Sequence, residues 1–499
     1  MSNAAIDGGG SIYATGIFAG SANFDPIATS FTLSATGAYT GFVSKMTQPG
    51  PLTFAGLAIG TSARYTLRVQ GADLQIVDSS NNAILFTKPL EDTTSIVINA
   101  AIGVDTTLTI DLGTAAATIP ITFNGGAGTN NTLIGPNSVN TWTITNNNAG
   151  NINGVITFTG VASLTGGAQS DVFKFSGGSI SKKINGGAGS NTLDYSSNLG
   201  QSISVNLQTS TASSINGGLA SGFSNIAAFV GGTNLDFLTG TNAATAWAIN
   251  GVYTGTANAF TFSGMEFLNG GTAVDTFKFS STGRIIQLNG GGGGDWLDYS
   301  GFRATEPVTV NFATGAATGI NGGAKSSVSN IQNVIGGGGN DTITGNNLSN
   351  ILVGGPGNDS LMAGNARSML IGGTGADALV GGNADDLMIS GSTSYDVNTA
   401  ALQAILAEWT STRDYITRVN NILGIGAGTS SNGSYTLKFG VTVFNDSGSL
   451  SGSNRMRGGA GQELFFGLAI EVFDASAKEL LVPGYPSPKS VLQGVITKR

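Results

Sequence analysis

Apolar and polar residues alternate with period two through residues 64 to 112, where RYTLRVQGADLQIVDSSNNAILFTKPL is followed by SIVINAA and TTLTIDL. Alternation rich in β-branched residues and broken by Gly or Asn-Asn predicts strands with one face inward. Four or five strands and no helix are expected within a β-rich unit over residues 51–125. Residues 1–50 read as shorter strands between Gly and Pro turns, a single small sheet. Beyond residue 126 the rhythm changes: Gly-Gly is followed about six residues later by Asp or Asn and then an apolar residue, a turn feeding a short strand. Stacked coils of this kind make a β-solenoid, each coil covering the next. The period becomes helical only once, at Leu402, Ile405, Leu406, Trp409, Ile416, Val419 and Leu423, with Gly424 as the stop. One amphipathic helix is expected, its apolar stripe packed on the end of the solenoid as a cap.

Sliding the chain on itself exposes a duplication across residues 126–335 with an offset of about 105. Trp142 matches Trp247; GGAQSDVFKF (166–175) matches GGTAVDTFKF (270–279); GGAGSNTLDYS (186–196) matches GGGGGDWLDYS (290–300). VGGTNLDFLTG (230–240) matches IGGGGNDTITG (335–345), so the second copy runs directly into the next segment.

Residues 336–389 divide into nines without a gap: GGGGNDTIT, GNNLSNILV, GGPGNDSLM, AGNARSMLI, GGTGADALV, GGNADDLMI. This G-G-x-G-x-D-x-U-x pattern, with U a large apolar residue, resembles the hemolysin-type or RTX (repeats-in-toxin) calcium-binding repeat over 54 residues. The chemistry is direct, since glycines allow the tight turn and present backbone carbonyls as hard oxygen ligands while Asp adds a carboxylate. The resemblance implies a parallel β-roll with two nonapeptides per coil, so that one side sees every second unit. Asp341, Asp359 and Asp377 then stand 18 residues apart in one acidic row. The expected calcium ligands come from Gly336, Gly338 and Asp341, from Gly354, Pro356 and Asp359, and from Gly372, Thr374 and Asp377, giving two ions between the three turns. The opposite side offers Asn350, Ser368 and Asp386 around an eroded glycine pattern, and is expected to bind weakly if at all, with Asp386 its one option for a third ion. The scattered copies with Asn191 and Asp295, together with Asp171, Asp236 and Asp275, are expected to be structural Gly-Asx turns, as is GGAGQELFF (458–466), whose Glu463 is longer than Asp.

A second, weaker resemblance lies in residues 7–46, where IYATGIFAGSANFD is similar to one blade of a bacterial β-propeller repeat. A single blade does not close a propeller, so the two readings are that the start of a longer polypeptide is missing or that the segment is a small β-cap.

Composition narrows the functions. The 499 residues include 78 Gly, 11 Pro and only 10% charged residues, with 40% apolar; soluble domains typically carry about 25% charge, so the surface must be Asn, Ser, Thr and Gly. A net charge of −8 disfavours nucleic acid and anionic membrane as partners and suits cations. With no Cys and no His there is no disulfide, no thiol nucleophile, no His-based zinc site and no imidazole base. No apolar run is long enough to span a membrane, and the first residues lack the pattern of a signal peptide.

The fold class expected is thus all-β: a parallel β-roll/β-solenoid with preceding β-rich units and one helix within a C-terminal cap over residues 390–499. The function expected is that of a secreted or cell-surface calcium-binding protein without enzymatic activity, an adhesin-like or structural module whose roll folds in extracellular calcium. Surface glycans or other surface proteins are its expected partners. The alternative is a calcium-dependent polysaccharide lyase-like solenoid, with Arg284 and Arg303 near Asp295 and Asp298 as its basic and acidic groups. Export through a C-terminal signal of the RTX kind is a further option, although the ending SVLQGVITKR is basic and departs from that family.

Overall fold

The computed structural model describes residues 49–56, 62–101, 103–113, 118–426, 428–444, 454–467, 471–473 and 479–483, with short strand segments before residue 49. In that first segment Asn3–Ile6, Ile12–Phe18 and Thr40–Met46 pair antiparallel in one sheet. The Phe24–Asp25 turn of the blade-like pattern lies outside the described residues.

Strand-rich, mostly parallel pairing follows, as the alternation demands. The first compact unit comprises residues 1–191 with 214–217 and 223–226. Among its described residues the 64–112 stretch holds five strands and no helix. Two antiparallel excursions, Asp73–Asp78 and Ala83–Pro89, extend the edge of a parallel stack built on Ser62–Gln70, Asp105–Asp111, Thr132–Ile134 and Ser163–Thr165. On the adjoining stack Ile96, Ile121 and Ile156 lie in register, as do Ile98, Phe123 and Phe158, all buried. Burial of such a side chain contributes about 1.5–3 kcal/mol, and a one-residue slip would turn every one of them outward. That penalty fixes the register.

The second unit comprises residues 192–213, 218–222 and 227–499. Each copy of the duplication carries the same internal stack: Trp142 on Phe173 in the first unit and Trp247 on Phe277 in the second, both at 5.4 Å between ring centroids. Within the nonapeptide segment the coil is 18 residues, with Ile351 paired to Met369 and Met369 to Leu387, and Thr342 to Ser360 and Ser360 to Ala378. Leu352, Leu370 and Met388 face Ile343, Leu361 and Leu379 across the interior, all at 0% exposure. The chain leaves the roll after Ser390 and rejoins it at Arg455–Arg457 and Leu464–Gly467, which pair with Ala378–Val380 and Leu387–Ile389. A helical segment is therefore inserted between two successive coils.

Where the apolar spacing predicts one helix, there are two: α1, Thr399–Trp409, and α2, Tyr415–Leu423. Asn398 caps α1 by accepting from the Ala401 N–H, and Asp414 caps α2 by accepting from the Thr417 N–H. Asp414 is thus a start signal inside what reads as one stripe, and it rotates the second helix so that Tyr415 is buried while Ile416 is exposed. Gly424 ends α2 with a left-handed φ of 68°.

The helices do not sit on the end of the solenoid, as expected of a cap; they cover its flank. Leu402, Ile405, Trp409, Tyr415, Val419 and Ile422 pack on Ile351, Val353, Met369, Ile371, Leu387, Ile389, Leu464 and Phe466, a face spanning four successive coils. The cause is written in the even-numbered nonapeptides, which end in three consecutive apolar residues (ILV, MLI, LMI), so their strands are apolar on both faces and need a second layer. Arg418, 2% exposed, locks this layer: it donates to Asp385 Oδ2 at 2.6 Å and to the Trp409 carbonyl at 2.8 Å, and lies 4.8 Å over the Trp409 ring.

Removing one partner of a buried ion pair costs about 3–5 kcal/mol, somewhat less where the other partner reaches water as Asp385 does. Arg418→Ala should therefore release α1 and α2 locally, seen as faster amide hydrogen exchange over residues 399–423 while the inner strands stay protected. Unchanged protection of the helices would show that apolar contact alone holds them.

Candidate metal centre

The 18-residue coil places the three predicted Asp side chains directly above one another, and each uses one oxygen to bind the neighbouring coil. Asp359 Oδ1 accepts from the Asp341 N–H at 2.7 Å, Asp377 Oδ1 from the Asp359 N–H at 2.8 Å, and Asn454 Oδ1 from the Asp377 N–H at 2.7 Å. The opposite column is built alike, Ser368 Oγ accepting from Asn350 N–H and Asp386 Oδ1 from Ser368 N–H. All three Asp residues of the first column are at most 2% exposed. The first job of these side chains is to tie coils together.

The second oxygen divides the turns into two kinds. In the closed kind it accepts from the N–H of the second glycine of its own turn: Asp171 from Gly167, Asp236 from Gly232, Asp275 from Gly271, Asp341 from Gly337 and Asp386 from Gly382. In the open kind that N–H has turned away, because the second glycine takes φ near +100° (Gly291 97°, Gly355 103°, Gly373 108°) and the fourth takes φ from 114° to 137° (Gly293, Gly357, Gly375). Such angles are reachable only by glycine at no steric cost. Closed turns have Gln169, Asn234, Ala273 or Ala384 in the fourth position. The turn at 336–341 has Gly339 there and is closed all the same: Gly338 donates to the Phe302 carbonyl, a side chain at Gly337 would meet Phe302 Cβ at 2.7 Å, and Gly339 lies against Glu306 and Pro307. A neighbouring loop presses it shut.

The ten predicted ligand residues therefore separate. Gly354, Pro356, Asp359, Gly372, Thr374 and Asp377 come together as two adjacent open turns in register, Gly355 opposite Gly373 and Pro356 opposite Thr374. Gly336, Gly338 and Asp341 belong to a closed turn in which Val308 N–H and Gly337 N–H occupy both carboxylate oxygens. Asp386 stands on the other side with both oxygens engaged, by Ser368 and Gly382. The backbone conformation that distinguishes them was visible in sequence only as the fourth-position glycine; the loop that overrides it at 336–341 left no local signal.

The open pair fits a hard cation on its donors. Asp359 Oδ2 is buried without a hydrogen-bond partner and shares the space beside Gly354 with the Gly372 carbonyl oxygen. Two oxygens facing one another in a dry site need a proton or a cation between them. The need is plain from the coils that carry Asn in that position: Asn131 Nδ2 donates to the Gly160 carbonyl at 3.1 Å, and Asn191 Nδ2 to the Asn225 carbonyl at 3.0 Å. Burial, followed by repulsion from Asp377 and Asp341, pushes the Asp359 carboxyl up to about 8. Among the described residues no three acidic, His or Cys side chains converge on one point, so an ion here would draw mainly on backbone carbonyls, which suits calcium with its preference for many oxygen ligands. Gly459 and Gly461 repeat the open backbone at φ 91° and 141°, but there Glu463 is pushed up to about 9 by burial and by Glu479 beside it.

Over 95 residues the chain is 35% identical to a metallopeptidase, AprA, of Pseudomonas marginalis, a match covering 18% of this chain and 18% of that protein. No family model matches the chain. The partial likeness is compatible with RTX repeats.

Because the Asp359 carboxyl titrates above its ordinary value, the metal-free fold binds its proton more tightly than the unfolded chain. Its contribution to stability is complete below the ordinary carboxylate range and is lost as pH rises through about 8. In chelator the melting temperature should fall from about pH 4 to about pH 8 and level off above, and Asp359→Asn, whose amide can donate to Gly372 as Asn191 does to Asn225, should lessen that slope. Circular-dichroism melts with equal slopes for both proteins would dismiss this account of the carboxyl.

Proposed function

We propose that this chain is a calcium-stabilised structural or adhesive module of the extracellular surface, its roll completed by calcium held between the turns at 354–359 and 372–377. The observation that carries this reading is the pair of adjacent open turns with an orphan oxygen on Asp359. Ions that bind only the folded form stabilise it by mass action, and extracellular modules need dissociation constants of only about 10⁻⁴–10⁻³ M. Calcium bound there would supply positive charge between stacked oxygens, while Asp359, Asp377 and the glycine carbonyls hold it and the fold's ladder orients them. Among the described residues no helix is long and apolar enough to cross a membrane.

The absence of enzymatic activity belongs to the same proposal. Arg284 donates to the Ser281 and Gly283 carbonyls, and Asp295 is fully buried, an arrangement that favours structure over attack on a polysaccharide. The peptidase activity named for the Pseudomonas protein is not carried over, since these 499 residues contain no His to serve a His-based zinc site.

The test is a calcium titration of the whole chain after chelation, followed by thermal melting. At a hundredfold excess over the dissociation constant the stabilisation is about 2.7 kcal/mol, and each kcal/mol raises the melting temperature by about 2–4 °C in a domain of 150–250 residues and by less in a larger one. Calcium should raise the transition of the wild type, magnesium should do so less, and Asp359→Asn should lose much of the calcium response. A transition indifferent to calcium, or equally raised by magnesium, would overturn the proposal.

A further inference from the structure

The duplication contains its own control. Turns 186–191 and 290–295 occupy equivalent places in the two copies, and both have second and fourth glycines at positive φ: 81° and 83° for Gly187 and Gly189, 97° and 114° for Gly291 and Gly293. They differ in the sixth residue, Asn191 in the first copy and Asp295 in the second. Each side chain uses Oδ1 identically, accepting from the N–H of the preceding coil's Asp, Asp171 in one case and Asp275 in the other, both at 2.8 Å.

What the remaining atom does is not identical. Asn191 Nδ2 donates to the Asn225 carbonyl, so the first copy is satisfied by its own atoms. In the second copy Asp295 Oδ2 shares the space beside Gly290 with the corresponding carbonyl oxygen, that of Asn330, and has no hydrogen-bond partner, although the residue is 0% exposed. No second-glycine N–H relieves it, because Gly291 donates to Asn289 Oδ1. The backbone around it is held from outside the turn: Gln332 Oε1 accepts from Asp295 N–H, and the side chains of Asn333 and Gln403 donate to the Gly294 carbonyl at 2.9 and 2.7 Å. The oxygen is therefore fixed in a dry position beside the Asn330 carbonyl oxygen and the Ile331 side chain. A flexible side chain would have turned away.

We propose that the isolated turn Gly290–Asp295 is a separate site for a hard divalent cation, calcium above all, with Asp295 Oδ2 and the Asn330 carbonyl oxygen among its ligands. The inference rests on the calcium reading given above and extends it to a place outside the contiguous repeats. Here the ion takes the position of the amide hydrogens of Asn191. Burial, with a smaller contribution from the Asp275 charge, pushes the Asp295 carboxyl up to about 7, in keeping with a group that lacks a positive partner.

The experiment compares the full chain with Asp295→Asn and with Asp359→Asn. Asp295→Asn recreates the satisfied turn of the first copy and should melt in chelator no lower than the wild type, so loss of an ion will not be loss of fold. By calorimetric titration it should bind one calcium fewer than the wild type. Terbium in place of calcium adds a local signal, since Trp296 is adjacent in the chain: emission excited through tryptophan should drop strongly in Asp295→Asn and persist in Asp359→Asn. Equal calcium stoichiometry in Asp295→Asn and the wild type, or terbium emission unaffected by Asp295→Asn, would overturn this site while leaving the 354–377 site standing. Loss of an ion in Asp295→Asn with none lost in Asp359→Asn would do the reverse.

Discussion

The constraint on which the structure depends is the pairing of one buried side-chain atom with one carbonyl oxygen at the closing turn of each coil. Parallel coils leave backbone N–H and C=O groups at their corners that no strand ladder satisfies, and the Asn or Asp at the end of the turn reaches back to answer them. Its first oxygen finds a donor in the neighbouring coil, Asn350 excepted, whose Oδ1 accepts from the Asn346 N–H of its own turn. The second atom faces a carbonyl, and there amide and carboxylate part company: Asn131 and Asn191 donate, whereas Asp359 and Asp295 oppose oxygen to oxygen. Closed turns soften the conflict with a glycine N–H. Open turns surrender that donor to gain an unobstructed oxygen, a loss of about 1–3 kcal/mol for an unsatisfied buried group unless something positive fills the place.

Much of this was legible from the residues. Period-two alternation gave strands, the offset of about 105 gave the duplication, and the resemblance to RTX repeats implied the 18-residue register that stacks Asp341, Asp359 and Asp377. The difference between Asp341 and Asp359 was not legible, because GGGGND and GGPGND are equally good motifs and the distinction comes from Phe302, Glu306 and Pro307, more than thirty residues away. Asp295 failed to announce itself for the opposite reason: its turn has no adjacent repeat in sequence, and the carbonyl oxygen beside it is that of Asn330, 35 residues on.

The helical layer teaches a related lesson about reading apolar runs. A terminal cap was expected because solenoid ends need protection, yet the strands ILV, MLI and LMI already declare that one flank of the roll is apolar outward. The odd-numbered units, TIT, SLM and ALV, keep a mixed outer row that includes Thr342, Thr344 and Ser360, and the helical layer packs on the other stack. Helix placement thus followed from the difference between alternate units rather than from the helix's own stripe. Asp414, polar in the middle of that stripe, is the N-cap that lets the chain turn and lay two helices side by side.

The acidic column also ends for a physical reason. Asp359 has a carboxyl on either side and is pushed up by both neighbours after burial itself, whereas beyond Asp377 the column meets Asn454, which accepts the Asp377 N–H without adding charge. Asn454 arrives only after the helical insertion, when the roll resumes at Arg455–Arg457. Had the next position been Asp, a further buried carboxylate would have carried the same demand for positive charge toward the last coils, where Glu463 and Glu479 already crowd one another. An amide there confines the demand to the middle of the roll. Charge in this fold is thus placed by exchanging one atom, nitrogen for oxygen, at a position whose geometry hardly changes from coil to coil.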